Sequence, residues 1–269
     1  VRLGPIAGVA LFATLSLPLC LAQQPEDPPF QELLTHLQAN LTTYIQTVPS
    51  FFCDEHVDSV MEQPGGGKVT TTTDSVFRLK RTGEGNSTQL AESREVKTVN
   101  KKAAHGEDIT GPAIFRGAFS HGAAVVSLEL QSCFDYEHAP SVKIDGVNAI
   151  VLKYTALPDA ALNRNCPKIL EGRAYIDPRD LHLLRVEARI PNHQITRGVL
   201  GLWTWSIDYA PVVFDGKIFW MPKTIESRAV PNDHLTAWSF VAKYSKYHKL
   251  TVTSHIITDV GSNPPPPPE

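Results

Sequence analysis

The sequence predicts an α+β fold: one large antiparallel sheet of about ten strands, with one or two covering helices. Three observations carry this. One strong amphipathic stripe stands near the start, in residues 30–48. After it, apolar and polar residues alternate in strand-length runs separated by turn residues. Two Asp-Gly pairs, Asp145-Gly146 and Asp215-Gly216, mark tight hairpins. Helix does not alternate with strand, which argues against a parallel doubly wound sheet.

Residues 1–22 read as a secretory signal peptide. Arg2 gives a short cationic start, residues 6–21 are mostly apolar, and Cys20-Leu21-Ala22 offers small residues for cleavage. Pro18 within a short apolar run argues against a retained anchor, and Leu19 before Cys20 argues against lipidation there. Residues 23–29, polar and proline-rich, form a linker. Residues 30–260 form a single domain. Residues 261–269 hold five consecutive prolines and can only be polyproline II or a disordered tail. No other stretch approaches the ~20 apolar residues of a spanning helix. The expectation is a periplasmic or secreted protein with no transmembrane segment after cleavage.

The helix places Leu33, Leu34, Leu37, Leu41, Tyr44, Ile45 and Val48 at three- and four-residue steps, and Pro49 stops it. Its polar face is poor in Lys and Arg, so the stripe faces a core and not a membrane surface. Strands are expected at residues 54–63, 68–81 and 87–101. Residues 111–127 are loosened by Gly111, Gly117 and Gly122 and read as part helix. Further strands follow at 129–138, 141–144, 147–157, 171–176, 182–190, 201–214, 217–230, 235–246 and 249–260.

Strand faces give the candidate lining. Leu184, Val186, Ala188 and Ile190 alternate with Arg185, Glu187 and Arg189, so one face meets a core and the other meets water. Trp203, Trp205, Ile207 and Tyr209 make an aromatic face, and Trp238, Phe240, Ala242 and Tyr244 make another. Such rows either pack beneath the helix or line an apolar cavity. The candidate cavity residues are Trp203, Trp205, Trp238, Phe240, Leu184 and Val186.

Composition limits the chemistry. The chain has 269 residues, 42% of them apolar, and a formal net charge of −3. Nucleic-acid binding would need a basic excess that is absent. After signal cleavage Cys53, Cys133 and Cys166 remain, an odd number that allows one internal disulfide. Cys133 and Cys166, at the ends of expected strands, are the preferred pair; Cys53 with Cys133 is the alternative. Their spacing suits no structural zinc, and no cofactor is implied.

No nucleophile elbow, Ser-x-x-Lys, His-Glu-x-x-His or phosphate loop occurs, so the chain is read as non-enzymatic. Gly65-Gly66-Gly67 before Lys68 is a turn. His105, Glu107 and Asp108 are ordinary loop polarity. Asp54 and His56 share a strand face that Glu55 leaves. Asp177, beside Pro178, is a turn residue. Residues 243–249 interleave Lys243, Lys246 and Lys249 with Tyr244 and Tyr247, the pattern of a strand with a solvated basic face.

The hairpin Gly172-x-Ala174-Tyr175-Ile176-Asp177-Pro178, followed by Leu184-x-x-Glu187, resembles one in periplasmic lipoprotein-carrier families, LolA-like and RseB-like. Asp215-Gly216-x-x-x-Trp220-x-Pro222-Lys223 is similar to the hairpin that follows it there. The resemblance implies an open half-barrel wrapped around helices, with an apolar cavity. It implies a lipid or acylated ligand; the alternative is an envelope protein partner bound without lipid.

Overall fold

The computed structural model describes residues 28–83, 87–104, 115–158, 166, 170–232 and 236–251. The expected signal segment, the proline tail and the group His105, Glu107 and Asp108 lie outside them.

Helix α1, Phe30–Thr47, begins after Pro29 and carries Glu32 in its first turn, where a carboxylate suits the positive end of the helix. It buries Leu33, Leu34 and Leu37 and ends at Val48, before Pro49. Eleven strands follow: β1 Phe51–Glu62, β2 Lys68–Thr82, β3 Gln89–Val99, β4 Lys102–Ala103, β5 Phe134–Ile144, β6 Val147–Ala156, β7 Glu171–Ile176, β8 Leu183–Thr196, β9 Val199–Phe214, β10 Lys217–Pro231 and β11 Ala237–Lys249.

All eleven belong to one antiparallel sheet, ordered β4-β3-β2-β1-β11-β10-β9-β8-β7-β6-β5. The chain enters mid-sheet at β1 and zigzags to one edge, β4. It crosses to the far edge, β5, and zigzags back until β11 closes on β1. The two edge strands do not pair, so the sheet stays open. Two strands separate β1 from β9, yet Phe51 stacks on Phe214 with ring centroids 5.7 Å apart. The sheet is therefore curled into an open half-barrel.

The crossing segment fills the inside with short helix α2, Ala118–His121, and two 3-10 turns, Ala124–Val126 and Leu128–Cys133. Phe115, Phe119, Val125 and Val126 join one continuous core with α1 and the inner strand faces. Both Asp-Gly pairs form their hairpins, with positive φ at both residues: 46° and 88° in the first, 50° and 76° in the second.

Three strand expectations change. Residues 129–133 belong to a 3-10 turn, because they still lie on the crossing, where the Gln38 side chain of α1 accepts from the Leu128 amide at 2.9 Å. The breaks expected at Pro140 and between residues 246 and 249 are not strand ends. Pro140 sits in a bulge of edge strand β5, where a missing N–H is tolerated. Lys246 takes φ 54° within one long β11. The expected strand beyond residue 251 lies outside the described residues.

A disulfide joins Cys133, before β5, to Cys166, between β6 and β7; Cys53 is free and buried on β1. Gly172 of the marker hairpin has a packing reason. Its partner Tyr154 lays its ring over the glycine and donates its hydroxyl to the Glu187 carbonyl at 2.5 Å. A Cβ on residue 172 would sit 2.0 Å from that carbonyl and 2.4 Å from the Tyr154 oxygen. Gly172→Ala is expected to lose about 1–3 kcal/mol, read as a lower urea midpoint at unchanged slope. Asp177 accepts the Arg179 amide at 3.0 Å and its guanidinium at 2.9 Å, and Arg179 pulls the Asp177 carboxyl below its usual range. That is a turn role.

Candidate functional site

Inside the half-barrel, α1, the crossing segment and the β9–β10 hairpin leave a cavity of about 270 Å³. The α1 wall carries Leu37, Leu41 and Tyr44. The crossing segment contributes Phe119, Ala123 and Val126, and the hairpin contributes Tyr209, Ile218, Phe219 and Trp220. At its rim the His182 ring stacks on Trp220, centroids 5.5 Å apart, and Asn40 donates to the Leu181 carbonyl at 3.0 Å.

The cavity is mostly apolar, with Asn40, Thr43, Thr47, Ser120, His182 and Lys217 also on its walls. The hydroxyls of Tyr44 and Tyr209 are buried within those walls and have no hydrogen-bond partner. Burial comes first in holding the Tyr44 phenol protonated, with Glu92 and Tyr209 beside it adding to the effect; burial alone does so for Tyr209. Each is therefore a neutral O–H. An unmet buried hydroxyl is costly, and most buried polar groups find a partner in protein or water. Gly122 allows the close fit here: a Cβ there would lie 2.5 Å from the Ala118 carbonyl, 2.7 Å from Ile207 and 3.2 Å from the Tyr209 oxygen.

A buried ionic network fixes the cavity roof. Glu92 on β3 accepts from the Gly117, Phe119 and Ser120 amides at 2.7, 3.1 and 3.1 Å, so it caps the turn that begins α2. Arg94, two residues on, pairs with Glu55 of β1 through Nε at 2.8 and 3.0 Å and donates to the Phe115 carbonyl at 2.5 Å. Its guanidinium lies 4.2 Å from the Phe115 ring centroid and 4.9 Å from that of Phe77. Burial raises the Glu55 carboxyl, and Arg94 opposes that. Glu55 leaves the face of Asp54 and His56 as the strand period requires; His56 pairs on the other side with Asp74 at 2.7 Å. Among the described residues no group of three or more His, Cys, Asp or Glu could hold a metal ion.

None of the six residues singled out on strand faces lines this cavity. Trp203, Trp205 and Val186 lie in the main core, and Trp203 donates its indole N–H to Ser227 at 2.9 Å. Phe240 meets Phe115 edge-on at 5.1 Å. Trp238 is half-buried on β11, paired with Ala229 and Met61. Leu184 falls in a bulge and joins a separate cluster with Ala149, Val151 and Tyr175. Trp205 and Phe240, with Ala188 and Val241, do line a second recess of about 700 Å³, whose walls also carry Lys153, Arg173, Glu187, Arg189, Glu226 and Arg228. That groove is charged and open. Tyr44 carries a signal visible in the sequence, since it places the one polar side-chain atom on the α1 apolar stripe; Tyr209 shares its row with the Trp203 and Trp205 indoles and does not stand out.

No family model matches the chain, and no curated protein matches it. Solved structures are similar to it. One is a domain described as an outer membrane lipoprotein-sorting protein from Vibrio parahaemolyticus, at 12% identity and TM-score 0.44, covering 84% of this chain and 95% of that one. Another is a DUF1329 family protein from Desulfovibrio piger, at 12% identity and TM-score 0.43, covering 85% and 96%. A third is a LolA superfamily protein from Nitrosomonas europaea, at 11% identity and TM-score 0.36, covering 82% and 94%. None of these likenesses says what this chain binds, which rests on the chemistry of its own cavity. No helix among the described residues is long and apolar enough to cross a membrane.

Proposed function

We propose that the protein is an exported, non-catalytic binder of a slender amphiphile: one acyl chain bearing an ester, amide or similar acceptor. The observation that carries this is a mostly apolar cavity with a pair of unpartnered tyrosine hydroxyls buried in its wall. The cavity is slightly smaller than the ~300–1,000 Å³ typical of drug-sized ligands, which suits a single chain. Each methylene taken from water contributes ~0.8 kcal/mol. The phenols, held protonated, would donate to the ligand's acceptor and so satisfy groups that now lack partners.

The test is binding of a fluorescent fatty-acid ester, together with mass spectrometry of lipid carried by the natively purified protein. Wild type is expected to bind. Tyr44→Phe/Tyr209→Phe is expected to bind roughly 5- to 150-fold more weakly, at 0.5–1.5 kcal/mol for each of the two lost hydrogen bonds. The same double variant should melt no lower without ligand, because it removes two unmet buried groups. Leu41→Trp fills the cavity and should abolish binding. A wild type that carries no lipid and binds no ester sinks the proposal.

A further inference from the structure

The β9–β10 hairpin differs from every other part of the sheet. Strand β8 pairs with β9 only as far as Asp208, and β11 pairs with β10 only as far as Thr224. From Tyr209↔Pro222 to Phe214↔Lys217 the hairpin pairs with itself alone. Over these six rungs the ribbon forms no ladder with β8 or β11, although β11 stays close enough for Tyr247 to donate to the Pro222 carbonyl at 2.6 Å and for Lys249 to reach Asp215 in the turn.

The ribbon's two faces differ. Val212, Phe214, Phe219 and Met221 alternate onto the core, where Phe214 stacks on Phe51, and Lys217 ends that face. The opposite face carries Pro211, Val213, Ile218, Trp220 and Pro222. It starts beside Tyr209, which packs against the main core, passes Trp220 on the cavity wall and reaches the cross-strand pair Val213 and Ile218 at the tip. These two are 63% and 64% exposed, the most exposed large hydrophobic residues among those described. Ile218 also lines the cavity, so the tip is its mouth. Unpaired strand ends normally carry charge to stay soluble, and an exposed apolar patch at a cavity mouth marks a docking surface.

Charge indicates what docks. Lys217 stands beside Ile218, and Lys249 holds the turn residue Asp215. Lys80 and Arg81 lie at the same end, just past Leu79, which pairs with Phe51. We infer that the β9–β10 tip inserts Val213 and Ile218 into the interface of a bilayer bearing anionic headgroups, with these cations around it and the cavity opening onto the lipid. Aliphatic side chains flanked by Lys and Arg, with a tryptophan behind them, suit that interface. The docking goes beyond ligand binding and does not depend on it.

The experiment is co-sedimentation of the full chain with vesicles. Wild type is expected to pellet with phosphatidylglycerol–phosphatidylethanolamine vesicles, much less with pure phosphatidylcholine, and less as salt is raised. Val213→Ser/Ile218→Ser should bind at least ~10-fold more weakly, since two exposed aliphatics lose their burial. Lys217→Glu should weaken binding to the anionic vesicles specifically. Both changes are on exposed positions, and far-UV circular dichroism confirms folding. Leu41→Trp should pellet like wild type while losing the fatty-acid ester, which separates docking from the cavity reading. The inference is overturned if wild type stays in solution, or if the double serine variant pellets equally well. It is also overturned if sedimentation velocity shows that the tip only joins two copies of the chain.

Discussion

Arg94→Ala is expected to cost about 3–5 kcal/mol of unfolding free energy, among the largest single-residue losses available in this chain. The reason is the company Arg94 leaves behind. Its side chain and that of Glu55 are 4% and 0% exposed. Removing the cation strands a buried carboxylate and frees the Phe115 carbonyl it holds. Burial already raises the Glu55 carboxyl, and Arg94 is what opposes the rise. Without Arg94 the folded-state value climbs further above the unfolded one. A group raised in this way binds its proton more tightly when folded, so stability grows as pH falls from the folded value towards the unfolded one. The loss should accordingly be smaller at about pH 5 than at about pH 8, and Arg94→Met/Glu55→Gln should recover much of it. Urea unfolding at both pH values checks this, and a pH-independent loss would falsify the stated cause.

Breaking the Cys133–Cys166 disulfide is expected to cost about 3–4 kcal/mol, the chain-entropy value for a closed loop of 33 residues. The bond ties the start of edge strand β5 to the β6–β7 connection, so its loss should loosen that edge first. Cys133→Ala/Cys166→Ala, followed by urea unfolding and amide exchange, should show β5 and β6 opening ahead of β1 and β11. Cys53 cannot compensate. It is buried on β1, and burial, with Glu55 and Asp54 beside it, pushes its thiol well above the usual range. Alkylation mapped by mass should leave Cys53 unmodified until the protein unfolds.

The elements were legible wherever a local pattern dictated them. The α1 stripe, both Asp-Gly hairpins and the 171–176 strand appear almost residue for residue. The failures share a cause. Residues 129–133 look like a strand, but a strand needs a neighbour, and the chain there is still crossing the barrel. Pro140 looks like a break, but on an edge its missing N–H costs nothing. The aromatic rows gave strand faces and could not say what those faces meet. Trp203 and Trp205 pack in the main core, with Trp205 also bordering the charged recess, Trp238 and Phe240 are half-buried, and Trp220, which neither row contains, stacks on His182 at the cavity wall.

The sequence by itself determined the helix, the strand count to within one, the hairpin turns and a Cys133–Cys166 pairing that stood ahead of its alternative. These follow from periodicity, turn chemistry and spacing along a short stretch of chain. Only the tertiary structure decided that β11 closes on β1 and that the crossing segment fills the barrel. It alone placed Glu55, Arg94 and Glu92 beneath that segment, and it alone buried the Tyr44 and Tyr209 hydroxyls in the cavity wall without a partner. Those facts depend on residues far apart in the chain being brought into contact. Whether a core fills or stays open depends on how side-chain volumes from many strands sum at one place, and no local pattern records that sum.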